Sequence, residues 1–86
     1  LPANRVHYLL FTTIHDVLKA EKRLKHGHVS MEVVPVPRSL SSDCGVCIKS
    51  SASSQVLVSF LGQIAGLRCF VFDGTGYRQD ELPGAT

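Results

Sequence analysis

Residues Arg5 to Gly27, RVHYLLFTTIHDVLKAEKRLKHG, decide how this chain folds. From Arg5 to Thr12, two interleaved rows, Val6, Tyr8, Leu10 and His7, Leu9, Phe11, point to opposite faces of an extended segment rich in aromatic and branched residues. Both rows are largely apolar, as expected of a central strand covered by helices on one side and by a partner subunit on the other. Thr13 and Asp16 then have the spacing of a capping box, with the shorter Asp in the Glu position. A helix is therefore predicted from Ile14 to near His26, with Gly27 as its left-handed stop. Its inward stripe reads Ile14, Val17, Leu18 and Leu24. At roughly 100° per residue, Glu21 falls inside that stripe, whereas Lys19, Lys22 and Arg23 point away. A carboxylate so placed needs a partner, for which Lys25 and Arg38 are the candidates, or must reach the helix edge.

Further along, Val29 to Val36 alternates as a second strand, and Pro35 and Pro37 place its end at a sheet edge. Pro37 to Asp43 reads as a polar loop and Gly45 to Lys49 as a short third strand. Ser50, Ser51, Ser53 and Ser54 form a turn that caps a second helix from about Gln55 to Ala65, with Val56, Leu57, Phe60, Leu61 and Ile64 as its buried face. Leu67 to Phe72 reads as a fourth strand. The run of Gly74, Gly76, Pro83 and Gly84 after Asp73 reads as a partly ordered tail, 74–86, behind a single domain, 1–73. The expected fold is α+β, the ferredoxin-like split unit (βαββαβ), a four-stranded antiparallel sheet with two helices on one face. That topology brings Thr13, His15, Arg38, Cys44 and Cys69 to one end of the sheet. An open apolar sheet face would favour a homodimer.

Composition narrows the function classes. Eighty-six residues suffice for one domain, and 44% apolar against 19% charged residues suit an ordinary globular core. A net charge of +2 is too small a surplus to imply nucleic acid or an acidic membrane. The most apolar stretch, Val56 to Leu67, is interrupted by Ser59, Gly62, Gln63 and Gly66 and is shorter than the roughly 20 residues a membrane helix needs. Leu1 in first position suggests a trimmed chain, and no basic, apolar signal pattern follows it. Three cysteines, an odd number, fit a reducing cytoplasm better than a disulfide framework.

The main chemical signal is Cys44-Gly45-Val46-Cys47, preceded by Ser41-Ser42-Asp43. A thiolate is the working nucleophile, and nearby cations or a helix N-terminus stabilise it; Arg38 and the start of the first helix supply those features, while Asp43 opposes them. A thioredoxin-like site would sit at a helix start, whereas this pair leads into a strand. Residues three apart in a strand lie roughly 10 Å apart, beyond disulfide reach, so only a bend at Gly45 could close the pair. Zinc lacks a second ligand pair, with Cys69, His26 and His28 as scattered candidates, and no metal or other cofactor is expected. RNA binding is not expected either, because the third strand lacks stacking aromatics. His7 and His15 read as a strand residue and a first-turn residue. Arg38 could hold an anion with its planar fork, helped by the surrounding serines.

Phe11 to Leu24, with Lys-Ala-Glu-Lys at Lys19 to Lys22, together with Pro-Val-Pro-Arg at Pro35 to Arg38 and Ser-Asp-Cys-Gly at Ser42 to Gly45, closely resembles the small bacterial selenium/sulfur carrier protein-like family. The resemblance covers about half the chain. It implies a Cys that carries sulfur or selenium, for which Cys44 matches the Cys-Gly motif, and partners that donate and accept the chalcogen. The expected function is then a carrier rather than a conventional enzyme, holding the chalcogen on Cys44 as a persulfide or selenosulfide. Cys47 would release the cargo, Arg38, Ser42, Gly45 and Thr13 would bind it, and Glu21 would support the site. Two alternatives remain open: a module that binds an anion or a protein through Arg38 and the serine loop without covalent chemistry, and a Cys44–Cys47 thiol-disulfide relay.

Overall fold

The computed structural model describes residues 6–40, 44–62, 64 and 66–80. The elements run β1 (Val6–Leu10), α1 (Ile14–His26), β2 (Glu32–Pro35), β3 (Val46–Ser50), α2 (Ser54–Leu61), β4 (Arg68–Phe72) and β5 (Tyr77–Asp80). The strands form one sheet in the order β2-β3-β1-β4-β5, with every neighbouring pair antiparallel. β1 is central, as its two apolar rows require.

The fold is thus not the four-stranded βαββαβ unit predicted from the periodicities. It is β-α-β-β-α-β-β, and the fifth strand lies in the segment read as a tail. The cause is local. The Asp73 carboxylate accepts hydrogen bonds from Thr75 N (3.0 Å), Thr75 Oγ1 (2.8 Å) and Gly76 N (3.1 Å), while Asp73 N donates to Gly76 O at 3.2 Å. This Asx-type turn reverses the chain, so that Tyr77 pairs with Phe72 and Arg78 with Val71. Tyr77 then packs edge-on against Tyr8, with centroids 5.4 Å apart, and against Phe72 at 4.9 Å.

Both helices cover the same face. The cross-strand row Val33, Ile48, Leu9, Cys69 lies beneath them, and Leu9, Ile48 and Cys69 join Val17, Ala20 and Leu24 of α1 and Leu57 and Leu61 of α2 in one core. Thr13 caps α1, its Oγ1 accepting from Asp16 N at 3.2 Å, and Ser53 caps α2 in the same way through Val56 N at 3.3 Å. The inward face of α1 differs from the predicted stripe. Ala20 is buried, whereas Ile14 and Leu18 are 47% and 52% exposed. Arg23 does not point away: its Nη1 donates to Leu61 O at 2.7 Å, satisfying a terminal carbonyl of α2 where the helix dipole favours a cation. One turn on, the Phe60 ring fills the space a side chain on Gly27 would need, so a Cβ there would collide with it. These two contacts fix α2 beside α1. α2 itself is shorter than predicted, ending at Gly62, whose N–H donates to Val58 O at 2.9 Å.

On the helix-free face, Leu10 and Cys47 are fully buried side by side, and Tyr8, Phe70, Phe72 and Tyr77 are half-buried. Arg68 stacks over the Phe70 ring at 5.9 Å. No helix among the described residues is long and apolar enough to cross a membrane.

Candidate functional site

The register sets one end of the sheet. Leu10 faces Cys47 across one ladder and Arg68 across the other, while Val46 faces Pro35. The start of α1, the β2–β3 connection and the start of β4 therefore share that end, which carries Thr13, Arg38, Cys44 and Cys69. Glu21 lies away from it, midway along α1, where it pairs with Lys25 at 3.4 Å across one helical turn. Ser42 and Asp43 lie outside the described residues.

The β2–β3 connection is tied at both ends. Val36 N donates to Gly45 O at 3.2 Å, and Leu40 N donates to Pro37 O at 2.9 Å, a turn that leaves Arg38 exposed. Gly45 has φ +78, a conformation that glycine adopts without the Cβ penalty of other residues. The backbone bends there immediately before the β3 ladder begins.

That bend separates the surroundings of the two thiols. Cys44 is half-buried at the turn and packs against the rim of the helix-side core. Its Sγ donates to Val46 O at 2.9 Å, so the thiol lies along the first residues of β3. Cys47, one residue into the strand, is 0% exposed between Val34 and Leu10 on the opposite face, with its Sγ directed at Pro35 O at 4.0 Å. Burial, reinforced by the nearby Cys44, pushes the Cys47 thiol from 9.0 up to about 11. At neutral pH about one Cys47 in ten thousand is then a thiolate. Cys69 is buried in the core at 3% exposure. All three cysteines are reduced, and Cys44 alone retains solvent access.

Thr13 Oγ1 accepts from the α1 backbone, leaving its own hydroxyl proton to donate elsewhere. Among the described residues, no group of three or more His, Cys, Asp or Glu side chains could hold a metal. Sequence reasoning missed the Val46 carbonyl as the acceptor that orients Cys44. A main-chain group carries no compositional mark, although the glycine before it was a cue that the backbone bends.

The family described as "Putative Se/S carrier protein-like" matches residues 6–60, from the first residue of β1 to the last turn of α2, and includes Arg38, Cys44 and Gly45. No curated protein and no solved structure gives a significant match. With well over half of its length matched and the Cys-Gly turn inside the matched segment, the chain belongs to the Se/S carrier protein-like family.

Proposed function

We propose that the protein carries sulfur or selenium on Cys44 and passes it to an acceptor protein. The observation that carries this reading is the contrast in access: within the family-matched segment, Cys44 is the half-exposed thiol at a turn, whereas Cys47 is sealed and protonated. In loading, the Cys44 thiolate attacks the terminal sulfur of a donor persulfide. A Cys44 S–S bond forms as the donor's S–S bond breaks, and the departing donor thiolate takes up the proton that Cys44 released. A donor selenosulfide delivers selenium by the same exchange. Unloading repeats the step with an acceptor thiolate as the nucleophile.

The loaded terminal chalcogen is more acidic than the parent thiol and needs cationic or N–H partners. Arg38 on the exposed turn, the Ser42 and Thr13 hydroxyls, the Gly45 N–H and the positive end of α1 are the groups we assign to hold it. Release through Cys47 would need a thiolate that burial suppresses, which supports one working cysteine rather than a Cys44–Cys47 relay.

Intact-mass spectrometry after incubation with cysteine persulfide tests the assignment. The wild type and Cys47→Ala gain one sulfur at rates within about twofold of each other, and Cys44→Ser gains none. A gain that survives in Cys44→Ser overturns the carrier site; loss of loading in a folded Cys47→Ala overturns the one-cysteine mechanism.

A further inference from the structure

The flank of α1 turned away from α2 has a composition that the core does not explain. Arg23 and Gly27 face α2, and Val17, Ala20 and Leu24 face the sheet. At roughly 100° per residue, that leaves Ile14, Leu18, Glu21 and Lys25 on the opposite flank, above the β2 edge. Ile14 and Leu18 are about half exposed there. Val33, on the helix-covered side of β2 by its pairing with Ile48, is 39% exposed. Among the described residues, three of the five large exposed apolar side chains thus lie on this flank or on the β2 edge beneath it, with the other two, Val56 and Phe60, on α2. Exposed Lys22 and Lys25 border them. Among the described residues, only Lys25 of these has a carboxylate within 4 Å, that of Glu21. The patch begins at the first turn of α1, at the sheet end and on the sheet side where Cys44 meets the core rim.

We infer that this flank docks the protein that exchanges the chalcogen with Cys44, and that the partner presents an apolar centre with an acidic rim. The inference rests on the carrier reading. The apolar trio supplies a desolvated contact beside the thiol, while the lysines steer an acidic surface toward it and disfavour a basic one. A small persulfide needs no such surface and bypasses it.

The test uses a short Asp/Glu/Leu peptide with one Cys, a counterpart with Asn and Gln replacing the acids, and Ser versions of both. As persulfides at low salt, the acidic peptide loads Cys44 about tenfold faster than its neutral counterpart. High salt removes that advantage, as does Leu18→Glu/Lys22→Glu, whose substitutions lie at exposed positions. Cysteine persulfide loads both proteins at rates within about twofold. The unreactive Ser peptides, followed by fluorescence anisotropy, show the same preference in binding. Equal binding of the two Ser peptides, or an undiminished preference in the variant, overturns the docking surface. Lys22-dependent adsorption to phosphatidylserine vesicles without a peptide preference overturns it too, assigning the flank to a membrane. Failure of cysteine persulfide to load Cys44 overturns the carrier reading instead, and Ser-peptide binding still decides the docking surface.

Discussion

Two hairpin connections, each joining antiparallel neighbours, spend their polar groups in opposite ways. In the β4–β5 turn, the Asp73 carboxylate takes three hydrogen bonds from Thr75 and Gly76, and those bonds hold its pKa down to about 2. The turn is closed by its own atoms, all three bonds converging on Asp73 Oδ1. In the β2–β3 connection, the backbone is tied at Val36–Gly45 and Pro37–Leu40, while the Arg38 guanidinium faces solvent and the Cys44 thiol stays within reach of it. The first turn builds the sheet; the second suspends reactive groups from a sheet that is already built. Loops positioned by a rigid scaffold commonly carry function in this way.

The largest expected departure between the two regions is at alkaline pH. The open connection is backed by Cys47, whose folded pKa is raised from 9.0 to about 11 by burial and then by Cys44. Such a group stabilises the fold fully below its unfolded pKa and ceases to do so as pH rises through the folded value. The native state should therefore lose about 1–2 kcal/mol between pH 9 and 11 through this residue. Urea unfolding of wild type and Cys47→Ala across that range checks it: the two stability profiles converge as pH rises. Parallel profiles would place Cys47 in a wetter site than its zero exposure indicates, and would reopen its part in the chemistry.

Next in size is a matched pair of backbone changes. Gly45 and Gly74 both have positive φ, +78 and +98, and neither has an atom within 4 Å of where a Cβ would sit. Gly45→Ala and Gly74→Ala should each cost about 1 kcal/mol through the backbone alone. Their consequences for Cys44 separate. Gly45→Ala disturbs the bend that sets the thiol against Val46 O and slows persulfide loading, whereas Gly74→Ala leaves loading at the wild-type rate. Equal loading by the two variants would mean that the Gly45 bend does not govern presentation of the thiol.

What the sequence made legible follows from how locally each feature is determined. The β1 rows and the Thr13 cap depend on residues a few positions apart, and each appears where the spacing indicated; α1 also stops at Gly27, but with φ −88, and the left-handed conformation expected there falls on His28, with φ 57. The Cys44 turn was legible as a motif and through Gly45. Three features were not, the first two because a distant partner decides them. Arg23 turns inward because α2 offers a terminal carbonyl. Ala20 takes the place expected for Leu18 because the contacts of α1 with the sheet and with α2 fix its rotation. β5 alternates without an apolar row for the core, Tyr77-Arg78-Gln79-Asp80, and its single aromatic packs on the helix-free face, so no hydrophobic pattern marks it. The available cue was Asp73-Gly74 followed by Thr75, a turn signature that the surrounding glycines made look like a tail.

The smallest expected effect tests the closed turn itself. The depressed pKa of Asp73 means that its carboxylate stabilises the fold above the ordinary value of 3.8, and that this contribution disappears as pH falls through about 2. The residue is solvent-exposed, so water and salt screen the effect, and the difference is one of direction rather than of large size. Asp73→Asn retains an acceptor oxygen but cannot titrate. Its stability should be lower than that of wild type at pH 5, and the gap should narrow as pH falls through about 2, below which both turns present neutral side chains. Amide exchange at Thr75 and Gly76 reads this locally: protection at both falls with pH in the wild type and stays level in Asp73→Asn, after correction for intrinsic exchange. If protection at Thr75 ignored pH in both proteins, the carboxylate would not be what closes the hairpin, and β5 would owe its place to Tyr77 packing on Tyr8 and Phe72 instead.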